Sequence, residues 1–117
     1  MTEFDQLIET LVWATGDEAD GCEVEEYSKE ELFDQYAQFV ELIPDEIVDN
    51  LDELCLVGDD AEEQLAHDYI MTRMGHGVGF WETSEWEEKA GEKLTELCKQ
   101  QGMLESYVGE DEKVHIM

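Results

Sequence analysis

The chain has 117 residues, 33 of them acidic and 6 basic, for a formal net charge of −27. That length suits one domain spanning residues 1–117, and a hydrophobic content of 42%, including Trp13, Trp81 and Trp86, is enough to build a core. So large a negative charge repels nucleic acid and anionic membranes, which excludes direct binding to either, and attracts basic protein surfaces at long range.

Read in chain order, the first predicted helix places Phe4, Leu7, Ile8, Leu11 and Val12 on one face, with Thr2 as its cap and Gly16 as its end. Residues 16–26 are acidic, contain glycine and lack periodicity, so an exposed loop is expected there. Ser28 and Glu31 have the spacing of a capping box, with Tyr27 and Leu32 as its hydrophobic staple. The helix they open, residues 28–43, buries Leu32, Tyr36, Phe39, Val40 and Ile43. Pro44 ends it and suits the first turn of a further helix over 44–56, in which Ile47, Val48, Leu51, Leu54 and Cys55 form the apolar face.

Gly58-Asp59-Asp60 reads as a break and a cap. From Ala61 the pattern predicts a helix with Leu65, Ala66, Tyr69 and Ile70 inward, ending at Gly75. The segment Gly75-His76-Gly77-Val78-Gly79-Phe80-Trp81 is too rich in glycine for a regular helix. Ser84 and Glu87 form a second capping box before a helix with Trp86, Ala90, Leu94, Leu97 and Cys98 inside and Gly102 at its end. A hairpin follows, with strands over 104–108 and 113–116 about a turn at 109–112. The expected class is α+β, mainly α: four to five helices with a small C-terminal β-hairpin.

Three cysteines, Cys22, Cys55 and Cys98, are odd in number and widely spaced, which points to reduced thiols. With no leader-like N-terminus and no long apolar run, a cytoplasmic protein is expected.

The residues His67-Asp68-Tyr69, Thr72-Arg73 and Gly75-His76-Gly77-Val78-Gly79-Phe80-Trp81 carry a family likeness. The chain resembles small uncharacterised proteins of bacteriophages and mobile elements that share the pattern H-D-F-x-L-T-R-x-G-H-G-x-G-F-W. The likeness continues through Gly91, Lys93-Leu94 and Tyr107-Val108-Gly109, and more weakly through Leu11, Trp13 and Tyr27-Ser28. It departs from the pattern at Ile70, Met71 and Met74, where an aromatic, a leucine and a polar residue stand in the family. What the resemblance implies is phage or mobile-element origin, in a host cytoplasm, without implying an activity.

The motifs that suggest chemistry each have a plainer account. Gly75, Gly77 and Gly79 follow a helix and lack the G-K-[ST] ending of a phosphate loop, so a structural turn packing Phe80 and Trp81 into the core is favoured over nucleotide binding. His67, Asp68 and His76 lack the spacing of a metal or nucleophile site, and hydrogen bonding at a helix–loop junction accounts for them. The acidic stretch 16–21 resembles part of a calcium loop, but Gly16 and Tyr27 stand where the first and twelfth ligands belong. No enzyme activity, cofactor or metal is expected.

The acids are uneven: residues 1–60 hold 20 acids and one base, whereas 61–117 hold 13 acids and five bases. Solubility requires a net charge of only about 2–8 in a small domain, so the surplus calls for a use. Duplex DNA carries one phosphate charge per ~1.7 Å of axis, and helices of this length are of matching dimension. The expected partner is therefore a basic host DNA- or RNA-binding protein whose groove the carboxylates occupy in place of phosphates. The candidate partner-binding residues are Glu30, Glu31, Asp34, Glu41, Asp45, Glu46, Asp49, Asp52 and Glu53, with Asp59 and Asp60 in support. The alternative is an adaptor that binds a host protein through an apolar patch near Phe80 and Trp81.

Overall fold

A computed structural model describes residues 3–56, 60–75, 79–82 and 85–116. Its α-helices are α1 (Glu3–Thr15), α2 (Glu26–Leu42), α3 (Asp45–Val48), α4 (Leu51–Leu54), α5 (Ala61–Met74) and α6 (Glu88–Gln101). A 3₁₀ turn covers Asp17–Ala19, and strands β1 (Ser106–Val108) and β2 (Val114–Ile116) form an antiparallel hairpin. The class is α+β and mainly α, with six α-helices among the described residues where four to five were expected. The extra one arises because residues 44–56 form two four-residue helices, not one. Asp49 and Asn50 end α3, and Asn50 donates from its side chain to the Glu46 carbonyl, turning the chain there.

Helix α5 is the centre of the fold. Leu65, Ala66, Tyr69 and Ile70 are buried as the periodicity predicts, but so are Ala61, Asp68, Met71 and Arg73, so the helix is enclosed on nearly all sides. Helices α1, α4 and α6 pack against it. A chain of aromatic rings, Tyr36–Tyr69–Phe39–Phe80–Trp86, links α2 to α5 and to the segment that leads into α6, with centroids 4.7 to 5.9 Å apart. Such ring pairs add about 0.5–1.5 kcal/mol each beyond the area they bury.

Two of the expected caps are replaced. Helix α2 begins at Glu26, and Glu25 is its N-cap, accepting from Tyr27 N and Ser28 N at 2.9 and 2.8 Å. Ser28 instead lies buried in the first turn, where its hydroxyl accepts from Ile116 N at 3.1 Å and ties α2 to the hairpin. Tyr27 is 74% exposed, so it makes no staple. Likewise Glu87 is itself the N-cap of α6, accepting from Ala90 N at 2.9 Å; Ser84 and Thr2 lie outside the described residues. A carboxylate there also interacts favourably with the positive end of the helix.

The segment 16–26 is not simply an exposed loop. Ala19 and Val24 are buried, and Val24 bridges Val114 in parallel. Glu25 N donates to Val114 O at 2.8 Å and Val114 N to Glu23 O at 2.9 Å, so the hairpin is held to this segment as well as to itself.

Gly91 sets how closely α6 approaches the preceding loop. A Cβ there would run into the Phe80 carbonyl oxygen. Gly91→Ala should therefore destabilise the protein by about 1–3 kcal/mol, the usual cost of overpacking, despite alanine's better helix propensity. Urea unfolding checks this, and an unchanged or higher midpoint would contradict it.

Candidate partner-binding site

The inward face of α2 carries Ser28, Leu32, Tyr36 and Phe39. At 100° per residue, Glu30, Asp34 and Glu41 then fall within about 40° of one another on the opposite, exposed face and span about 16 Å of axis. All three are exposed, and they lie beyond the first turn, where a carboxylate would serve the helix dipole. Glu31 flanks this row, but its Oε1 accepts from Gln35 Nε2 at 3.0 Å, and Gln35 in turn accepts from the buried Arg73.

The remaining described candidates, Asp45, Glu46, Asp49, Asp52, Glu53 and Asp60, are exposed too, yet the structure separates them. Asp49, Asp52 and Glu53 gather with Glu62 of α5 around an open hollow of about 280 Å³. Glu46 faces a different groove, shared with Glu87 and with the bases Lys89 and Lys93. Asp45 joins Glu46 in the first turn of α3. Asp60 is the N-cap of α5, its Oδ1 accepting from Glu62 N and Glu63 N at 3.0 and 3.2 Å, so it has a structural task whatever else it does. Asp59 lies outside the described residues.

Two acidic residues that sequence reasoning missed belong near this region. Burial raises the Glu3 carboxyl above its ordinary value, the Tyr36 hydroxyl at 3.1 Å opposes that, and the charges of Glu62 and Asp60 push it further up. Glu3, Asp60 and Glu62 therefore share one negative field where the first turns of α1 and α5 meet. That juxtaposition depends on the packing of α1 on α5, for which local sequence carries no signal.

His67 and Asp68 form a hydrogen-bonded set, as expected, but in the middle of α5 and not at a helix–loop junction. The Asp68 carboxylate is fully buried and accepts from Trp86 Nε1 at 2.7 Å and Gln64 Nε2 at 3.0 Å, and it meets His67 Nδ1 at 2.9 Å. Gln64 Nε2 also reaches Glu85 Oε1 at 3.0 Å. The hydrogen bond to Asp68 raises the His67 pKa, partial burial opposes it, and the charges of Asp68 and Glu85 add to the rise. Cys98 is a poor nucleophile because burial pushes its thiol up to about 12. None of Cys22, Cys55 and Cys98 is in a disulfide. No group of three or more His, Cys, Asp or Glu residues among the described ones is placed to hold a metal ion. No helix among them is long and apolar enough to cross a membrane.

The glycine segment places its two aromatics differently from expectation. Phe80 is buried in the core, but Trp81 is 46% exposed, with Met103 beside it in the same hollow. Gly79 has no room for a side chain, because a Cβ would meet the Trp81 ring and Thr72 Oγ1. His76, Gly77 and Val78 lie outside the described residues. Trp13, counted toward the core by composition, is also largely exposed. Comparison with models of known protein families, with curated proteins and with solved structures gave no match.

Two outcomes follow from the electrostatics. A raised His67 pKa means that its stabilisation is fully present below the unfolded value of about 6.5 and is lost as pH rises through the higher folded value. The stability gap between the native chain and His67→Gln, measured by urea unfolding, should narrow from acid to alkaline pH; a widening gap would contradict the pairing. Self-repulsion among the carboxylates should also make the melting temperature climb with added sodium chloride as the screening length falls from about 10 Å at 0.1 M to about 3 Å at 1 M. Scanning calorimetry would read that rise, and a flat response would mean that repulsion does not limit stability.

Proposed function

We propose that the chain is a phage or mobile-element protein that imitates DNA, binding the basic groove of a host nucleic-acid-binding protein and displacing the nucleic acid. A defence nuclease, a repair enzyme or a nucleoid protein is a suitable target. One observation carries this reading. The longest dimension is 43 Å and the net charge −27, which is about one charge per 1.6 Å, against ~1.7 Å of axis per phosphate in duplex DNA. Of the 33 acids only Asp59 lies outside the described residues, so the ratio hardly depends on it. The row Glu30, Asp34 and Glu41 supports the reading further, since no capping or first-turn role explains those three.

In this mechanism carboxylates take the place of phosphates against Lys and Arg on the target. The association is stoichiometric and competitive, and no chemical step is involved. Electrostatic steering makes it fast at low salt and weak at high salt.

A second reading draws on Trp81 and Met103. Both are exposed beside an apolar hollow, as an adaptor that docks on a host protein would require, and the charge would then serve solubility alone. Paired variants separate the two. Glu30→Gln with Asp34→Asn and Glu41→Gln should weaken inhibition of the DNA-binding target at least tenfold at low salt, with circular dichroism unchanged. Trp81→Ala with Met103→Ala should leave inhibition nearly intact. The reverse pattern, or inhibition that ignores salt, favours the adaptor.

A further inference from the structure

A groove of about 630 Å³ lies between α1, the 3₁₀ turn and α5, with no residue of the α2 row in its lining. Trp13 forms part of its wall and is 67% exposed, an unusual position for the largest apolar side chain on a helix whose Leu7 and Leu11 are fully buried. Glu9 lies one turn before Trp13 on the same side of α1, and Asp17 and Asp20 come from the turn that follows. No Lys or Arg lines the groove among the described residues, and the one basic side chain that does, His67, is held by Asp68. None of the ion pairs among them engages Glu9, Asp17 or Asp20.

An exposed indole with three uncompensated carboxylates around it is complementary to one kind of group. A cation stacked on a tryptophan face gains from the ring quadrupole, and the carboxylates supply charge-assisted hydrogen-bond acceptors. The planar guanidinium suits both at once: its flat face lies on the ring and its edge presents paired donors, whereas an ammonium offers only a point charge. The ring also supplies a rigid contact that screening by salt does not remove, which the α2 carboxylates lack.

We infer that the Trp13 groove is a docking pocket for an arginine side chain of a protein partner. This rests on the proposed function only in taking the partner to be a basic protein; the pocket and the α2 row are separate surfaces and are separately testable.

The test uses the intact chain labelled with nitrogen-15 and a short capped peptide alternating glycine and arginine, with lysine and citrulline versions as controls. The Trp13 indole N–H resonance should shift saturably with the arginine peptide, less with lysine, and not at all with uncharged citrulline. Trp13→Ala should lower the affinity roughly 3- to 30-fold, the range expected for one cation–π contact. Glu9→Gln with Asp17→Asn and Asp20→Asn should lower it independently, and the Glu30/Asp34/Glu41 neutralisation should leave it unchanged. A stationary Trp13 resonance, equal binding of lysine and arginine peptides, or equal weakening by the α2 variant overturns the inference. Arginine binding at Trp13 without inhibition of any nucleic-acid-binding protein would retain the pocket and retire DNA imitation; inhibition without arginine binding would do the opposite.

Discussion

Helix α5 runs through the interior carrying two charged side chains almost wholly shielded from solvent, and the placement of its neighbours follows from satisfying them. Asp68 is met by Trp86, Gln64 and His67. Arg73, only 5% exposed, donates from Nε to Gly102 O at 3.0 Å, from Nη2 to Gln101 O at 3.2 Å, and from Nη1 to Tyr69 Oη at 3.1 Å and to the Gln35 side chain. A buried charge stripped of partners costs several kcal/mol, so each of these contacts constrains where its donor or acceptor must stand. Gln101 Nε2 closes the set by donating to Gln35 O at 2.7 Å, joining α2 to the end of α6. Leu104 N donates to Arg73 O at 3.0 Å, which fixes where the chain leaves α6 for the hairpin.

Against that interior, the surface acids divide by what they do locally. Glu25, Asp60 and Glu87 cap helices, and backbone donors hold the carboxyls of Glu25 and Glu87 below their ordinary values. Asp111 is held low chiefly by the His115 ring, which stacks on Tyr107 across the hairpin. Each α-helix also has at least one acid in its first turn, where the positive end of the dipole favours it. These uses consume part of the charge without requiring a partner. Residues such as Glu30, Asp34 and Glu41 are not explained so, and their repulsion opposes compaction. Glu30, Asp34 and Glu41 are thus the acids with least structural use, and Asp60, which caps α5, is among those with most.

Helices whose burial is one-sided were legible in the sequence. The periodicity of α2 and α6 predicts their inward residues well, and α5 ends at Gly75 as expected; in α1 Leu7 and Leu11 are buried, but Phe4 is 39% exposed and Thr10 and Ala14 are buried instead. Helix α5 is the instructive case: Leu65, Ala66, Tyr69 and Ile70 stood out, but nothing in the local pattern marks Asp68 and Arg73 for burial, because charge normally belongs to the solvent side. Their burial depends on Trp86, Gln35, Gln101 and Gly102, which lie 18 to 38 residues away. The caps failed differently. Serine at a capping-box spacing is a sound local signal, yet Ser28 was taken by the hairpin's Ile116 and the neighbouring Glu25 became the cap.

By itself the sequence determined the class of the fold, the principal helices and the C-terminal hairpin, because hydrophobic period, glycine and proline act over a few residues. It also determined the net charge, which no folding can alter. Only the tertiary structure decided which acids share a surface, that Trp13 and Trp81 face outward while Trp86 is sealed against Asp68, and that a groove opens between α1 and α5. Those outcomes are set by contacts between segments far apart in the chain, where the packing of one helix fixes the surroundings of another.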